Sequence, residues 1–261
     1  MLNLTGTDGA QTWTMRFGSV NAIDPEFLSA MESALDSAIA DESVAAVVIT
    51  SGLRVFSAGA NASWMGQVTR ERGRAQLLAE FNLIMDRFRD LCVRMRRSDL
   101  LFVAALNGHT LAGGLELAAA CDLRFAADHE RIQIGAPEMK LFGVMPSGGG
   151  GAQFIARLMG PGRALEFILE AENCSPARAL ELGLVERLYP PETLMAETEA
   201  FARRIAARAG RIGINAAKRS IIDAVSLPVY EGLEVDRIVH WDSMRRGGFL
   251  PGVEAFVEQY G

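Results

Sequence analysis

Apolar runs of strand length alternate with amphipathic helical stretches as far as about residue 188, and beyond that only helical patterns remain. This order of elements points to an α/β core followed by a helical C-terminal extension. The first twenty residues alternate around Gly and Asp, as short strands in hairpins do. Pro25 opens a helix capped by Asp24, with Phe27, Leu28, Met31, Leu35 and Ile39 at helical spacing. Residues 45–49 (AAVVI) have the two-faced apolar character of a buried strand. A loop carrying Gly52, Gly59 and Gly66 precedes a long amphipathic helix over about 71–96. Strands are expected at 101–106, 123–125, 131–134 and 184–188, and helices from Gly113 to Cys121, up to Gly160, and from Ser175-Pro176 to Gly183. Past Pro190-Pro191, helices are expected at 193–209, 214–224 and 229–244. No Pro/Ser-rich linker interrupts the chain, so the division expected is a core over 1–190 and a helical region over 191–261. That region packs on the core or on a neighbouring subunit.

The 261 residues suffice to bury a substantial core. A formal charge of −6 with no basic face argues against nucleic acid as a partner. The densest cationic run, Arg94 to Arg97, closes a helical pattern, where the helix dipole favours it. Cys92, Cys121 and Cys174 are widely spaced in apolar surroundings and read as free thiols in a reducing compartment. The N-terminus lacks the pattern of a signal peptide, and no apolar segment reaches membrane-spanning length. A cytoplasmic protein with no membrane partner is expected.

Two glycine-bearing stretches, 58–65 (AGANASWM) and 107–122 (NGHTLAGGLELAAACD), carry the chemistry. Small side chains around Ala58-Gly59-Ala60 leave the amides of a turn accessible, and Gly113-Gly114 places amides at a helix N-terminus, which favours negative charge. Converging, the two turns form an oxyanion hole, in which one donor stabilises a transition state by about 3–4 kcal/mol. Taken singly, each is equally well explained by tight packing. Glu116 follows among Leu115, Leu117 and three alanines, so burial raises its pKa and suits it to acid–base work. The alternative is a first-turn acid favoured by the dipole. Glu138 (135-GAPEMKL-141) reads as a loop acid that is either ordinary or a catalytic partner.

Other mechanisms find little support. Ser147 has Met145 rather than glycine two residues earlier, so there is no nucleophile elbow. His109, His129 and His240 lack ligand spacing, so no metal is expected, and His109 is kept as a pocket-lining residue. The glycines at 148–151 fit neither a Walker A loop nor a dinucleotide fingerprint.

Together, 56-FSAGAN-61, 104-AALNGHTLAGGLELAAACDLRFAA-127, 136-APEMKLFGVMPSGGGGAQ-153 and 177-ARALELGLVERLYP-190 resemble the crotonase superfamily of enoyl-CoA hydratases and isomerases, in the family's order and over nearly the whole chain. The resemblance implies a core of repeated ββα units with a helical C-terminal trimerisation region, giving a homotrimer or a hexamer of paired trimers. It implies that the amides of Ala60 and Gly113 hold a thioester carbonyl, and that Glu116 and Glu138 are the acid–base pair of a lyase adding water to a 2-enoyl thioester. No separate cofactor is implied, because coenzyme A arrives as part of the substrate. Ala58, Asn61, Met65, His109, Gly114, Phe142 and Ser147 are the candidates for contacts to the substrate. Met65, Leu78, Phe81, Phe142 and Met145 are candidates for an acyl pocket, although apolar residues at such positions are core more often than pocket.

Asn61 replaces the family's usual Asp, and Ser63 and Gln259 stand where lysines commonly meet coenzyme A phosphates. An acyl-carrier-protein thioester is therefore an alternative to acyl-CoA, unless Arg16, Arg54 or Lys218 substitutes. The segments flanking Glu138 look slightly longer than usual, which loosens its assignment relative to Glu116. The alternatives in chemistry are double-bond isomerisation, decarboxylation, thioester hydrolysis, or a non-catalytic protein of the same fold.

Overall fold

The computed structural model describes residues 1–143, 148–247 and 249–261. Strands β1 (Leu2–Thr7) and β2 (Ala10–Met15) form the expected antiparallel hairpin. Asp8 and Gly9 both take positive φ, 53° and 78°, the combination that matches a two-residue turn to strand twist. Helix α1 (Pro25–Ala40) starts where expected, with Asp24 Oδ1 accepting from Phe27 N at 2.9 Å.

Three strand–strand–helix units follow. In the first, β3 (Ala46–Ser51) and β4 (Val55–Ser57) lead to α2 (Ala62–Arg72) and α3 (Arg74–Arg97). In the second, β5 (Leu101–Leu106) and β6 (His109–Leu111) lead to α4 (Gly113–Ala120). In the third, β7 (Leu123–Ala127) and β8 (Ile134–Gly135) lead to the short α5 (Glu138–Phe142). The first strand of each unit joins a large sheet and the second a small one. With β9 (Arg187–Tyr189), the large sheet runs β1-β2-β3-β5-β7-β9, parallel throughout except for the hairpin. The small sheet, β4-β6-β8, is wholly parallel. Every residue of β3 and of β5 is buried, which explains their unbroken apolar character.

The rest is helical apart from β9: α6 (Gly151–Met159), α7 (Pro161–Glu170), α8 (Pro176–Leu182), α9 (Leu194–Lys218), α10 (Val229–Arg246) and α11 (Phe249–Tyr260). Helix α9 kinks at Gly210 and lies across β2, β3, β5, β7 and β9. The first of the C-terminal helices is thus a layer of the core, while α10 and α11 leave Tyr230, Leu233, Trp241, Phe256 and Tyr260 exposed.

Several boundaries differ from expectation. The helix expected over 71–96 is two helices, broken at Gly73, whose φ of 85° no helix accommodates. Gly66, expected in a loop, lies inside α2. The strand expected at 131–134 shrinks to Ile134–Gly135, and Glu138 opens a five-residue helix rather than sitting in a loop. None of the described helices is long and apolar enough to cross a membrane.

Candidate active site

The small sheet brings the two glycine stretches together. Parallel pairing of β4 with β6 sends both strands out at the same end, one into the 58–60 turn and the other into α4. There the backbones touch. A Cβ placed on Gly59, whose φ is 86°, would fall 2.7 Å from the Ala112 Cβ and 2.8 Å from Gly113 N. A Cβ on Gly114 would overlap the Ser57 carbonyl. Glycine is required at both positions because a neighbouring chain occupies the space of a side chain.

Main-chain bonding leaves only some of these amides free. Ala58 N donates to Val20 O at 3.0 Å, Gly59 N to Ser57 Oγ at 3.3 Å, and Asn61 N to Ile23 O at 3.0 Å. On the other stretch, Ala112 N donates to Gly135 O at 2.9 Å, and Leu115 N and Glu116 N both turn back to Ala112 O. Among the described residues, no acceptor meets Ala60 N on the first stretch, nor Gly113 N and Gly114 N on the second. Ala112 itself holds φ 54°, ψ −128°, a strained conformation for a residue with a Cβ, kept by the bonds on both sides of it. Ala60 N and Gly113 N lie on adjoining turns, an arrangement that suits an oxyanion.

Glu116 is 6% exposed, and its neighbours on α4, Leu115 and Leu117 to Ala120, are all buried. Its Oε2 accepts from Gly149 N at 2.7 Å and Gly151 N at 3.0 Å. Burial pushes its pKa up, and the two amides oppose that shift. Gly151 opens α6, so the carboxylate rests at a helix N-terminus, and a Cβ on Gly151 would overlap the Glu116 side chain. The glycine cluster that matched no nucleotide motif is thus the seat of this carboxylate.

Glu138 is also 6% exposed. Burial is the main cause raising its pKa to about 7, its own amide opposes the rise, and the charge of Glu116 adds to it. Both carboxylates line one cavity of about 10 Å³, with Ala112, Ala136, Ile155 and Ile168 among its walls. That volume is on the order of one water molecule.

The other sequence candidates scatter. Asn61 caps α2, accepting from Trp64 N at 3.0 Å, while its Nδ2 donates to Asp24 Oδ2 at 2.8 Å. It is a clamp between the starts of α1 and α2, one residue from Ala60. Met65 lies half-buried on α2. Gly114 is a contact point for β4. His109 sits at the start of β6, at the far end of the strand from Gly113, and its Nδ1 accepts from Gln133 N at 3.1 Å. Phe142 is 66% exposed at the end of α5 and does not line the cavity between the carboxylates. Ser147 and Met145 lie outside the described residues. Lys218 is buried, pairs with Asp122 Oδ2 at 3.0 Å, and donates to Met95 O and Leu100 O. It therefore offers nothing to a coenzyme A phosphate.

Comparison with known proteins gives the family. The model of the family described as enoyl-CoA hydratase/isomerase matches residues 12–261. The chain belongs to the enoyl-CoA hydratase/isomerase family. A probable mitochondrial enoyl-CoA hydratase of Dictyostelium discoideum is 31% identical over 92% of this chain and 82% of its own length. A crotonyl-CoA hydratase of Syntrophomonas wolfei is 30% identical over 92% of this chain and 88% of its own. The crystal structure of an enoyl-CoA hydratase from Bacillus anthracis superposes with a TM-score of 0.87 at 25% identity, covering 99% of this chain and 96% of that one. As an enzyme of this family, the chain has an acyl-CoA thioester as its class of substrate and the crotonase fold as its architecture.

Proposed function

We propose that this enzyme is a lyase that adds water across the double bond of a 2-enoyl thioester. The observation that carries the reading is the pair of carboxylates on one water-sized cavity, which Ala112, the neighbour of Gly113, also lines. Thioester binding places the carbonyl oxygen on those amides. Glu116, whose Oε2 accepts from two main-chain donors, takes a proton from water as the water oxygen bonds to Cβ. The electrons of the double bond move to the carbonyl oxygen, and the resulting enolate is stabilised by the Ala60 and Gly113 N–H groups. Glu138, with its pKa near neutrality, delivers a proton to Cα as the carbonyl re-forms. A proton passing from Glu116 to Glu138 by way of solvent restores the starting state. The reaction draws on no cofactor beyond the coenzyme A of the substrate.

Loss of enoyl absorbance with crotonyl-CoA, set beside the same acyl group on a carrier protein, tests this reading. Turnover of either ester supports hydration, and inertness toward both overturns it. Ser63 and Gln259 supply no phosphate-binding charge, which is the reason for setting a carrier-bound ester beside the coenzyme A ester. The apolar side chains left exposed on α10 and α11 suit a homotrimer, singly or paired into a hexamer, and sedimentation velocity distinguishes these from a monomer. The free thiols of Cys92, Cys121 and Cys174 suit a reducing cytoplasm.

A further inference from the structure

We propose that Phe88 is a positioning residue whose ring sets the spacing between the Gly113 amide and the Gly149–Gly151 turn that seats Glu116. The proposal rests on the hydratase reading for its kinetic consequence, but not for its structural one. Phe88 lies on the buried face of α3, is 1% exposed, and takes no part in the hydration steps described above.

One ring carbon meets both halves of the site. A Cβ on Gly149 would fall 2.5 Å from Cε1 of Phe88, and a Cβ on Gly113 would fall 3.6 Å from the same Cε1. The ring edge therefore packs closely on the turn before α6 and faces the start of α4. That turn has no side chain of its own from Gly148 to Gly151, so its place is set by what packs on it. Other α3 contacts act in the same sense. Met85 presses on Gly148, and Arg96 lies 4.8 Å over the ring of Phe154, which itself covers Gly150.

Helix α3 is in turn pinned to α1 beside this ring. Arg87 Nε and Nη2 donate to the two carboxylate oxygens of Glu32 at 3.0 and 2.6 Å, and Nη2 also reaches Ser29 Oγ at 3.0 Å. In a close-packed interior, a ring of fixed size packed on one turn and facing the other works as a spacer. Truncating it leaves a cavity into which a glycine turn readily relaxes. The amides of Gly149 and Gly151 then move off Glu116 while the thioester site on Ala60 stays intact.

The experiment compares Phe88→Ala and the milder Phe88→Leu with Leu91→Ala, an equally buried α3 residue that serves as a packing control. For Phe88→Ala, kcat per folded molecule falls by about 10–100-fold with KM little changed, as a misplacement near 1 Å produces. The acid limb of kcat/KM moves to higher pH, because Glu116 loses the donors that oppose its burial. Phe88→Leu gives a smaller shift in the same direction, and it carries the test alone if Phe88→Ala does not fold. Leu91→Ala loses stability but keeps the kcat and the acid limb of the unsubstituted enzyme. The titration of Glu116, followed by carbon-13 NMR without substrate, moves upward in the Phe88 variants only. Identical behaviour of the Phe88 and Leu91 variants, in Glu116 titration and in pH profile, overturns the proposal. An unsubstituted enzyme inert toward enoyl thioesters overturns the hydratase reading instead, and the NMR titration still decides on Phe88.

Discussion

Glu116 and Glu138 are equally hidden from solvent, yet their surroundings differ in kind. Glu116 sits on the second strand–strand–helix unit, with two amides from a distant turn on one of its oxygens. Glu138 opens a helix of five residues, and only its own amide opposes its burial. Burial alone would make both neutral. The donors at Gly149 and Gly151 oppose the rise in pKa that burial causes at Glu116, whereas at Glu138 burial dominates and the charge of Glu116 adds to it. Equal burial with unequal donors gives the two carboxyl groups of one small cavity different surroundings, which is the asymmetry the proposed base and acid roles draw on.

The sharpest way to break the comparison is to remove the charge that organises it. Glu116→Gln should lower hydration by about 10³–10⁴-fold while leaving affinity for a saturated acyl thioester nearly unchanged, as read by steady-state rates beside calorimetric titration. Glu138→Gln should cost about 10²–10³-fold in hydration. If instead a double-bond isomerase activity persists in that variant, the chemistry needs only one acid. Gly151→Ala attacks the asymmetry itself, since the added methyl meets the Glu116 side chain. A loss of about 10–100-fold is expected, with the acid limb displaced upward. The smallest effect is on stability. A carboxyl whose folded pKa lies near 7 binds its proton more tightly when folded than when unfolded, so its ionisation weakens the fold as pH rises from about 4.5 through 7. Glu138→Gln, which cannot ionise, should therefore melt higher than the unsubstituted protein at pH 8, with the gap narrowing toward pH 5 in thermal scans.

Much of the site was legible because its signals are local. Gly113 and Glu116 lie within one turn of each other, and an acid amid leucines and alanines announces its own burial. The hairpin, α1 with its Asp24 cap, and the two-faced strands β3 and β5 were readable for the same reason. What escaped depends on distance along the chain. The glycines at 148–151 looked purposeless because the carboxylate they serve lies more than thirty residues earlier. The small sheet was hard to see because its strands have two or three residues each, too few to show alternation. His109 and Phe142 were named for their place in a motif. The fold puts one in a main-chain hydrogen bond and the other in solvent. Phe88 carried no signal at all, since an aromatic at helical spacing is ordinary core.

The buried pair of Asp122 and Lys218 has a bearing on how the chain comes to be folded. Asp122 ends the unit that carries Glu116, and its Oδ2 also accepts from Phe102 N at 2.8 Å. Its cationic partner is the last residue of α9, so the ribosome releases the carboxylate long before the ammonium that neutralises it. Until α9 emerges, closing the large sheet over that side chain would strand a charge in an apolar interior. A chain cut short at the Gly210 kink would lack Lys218 and leave Asp122 buried without its ammonium partner.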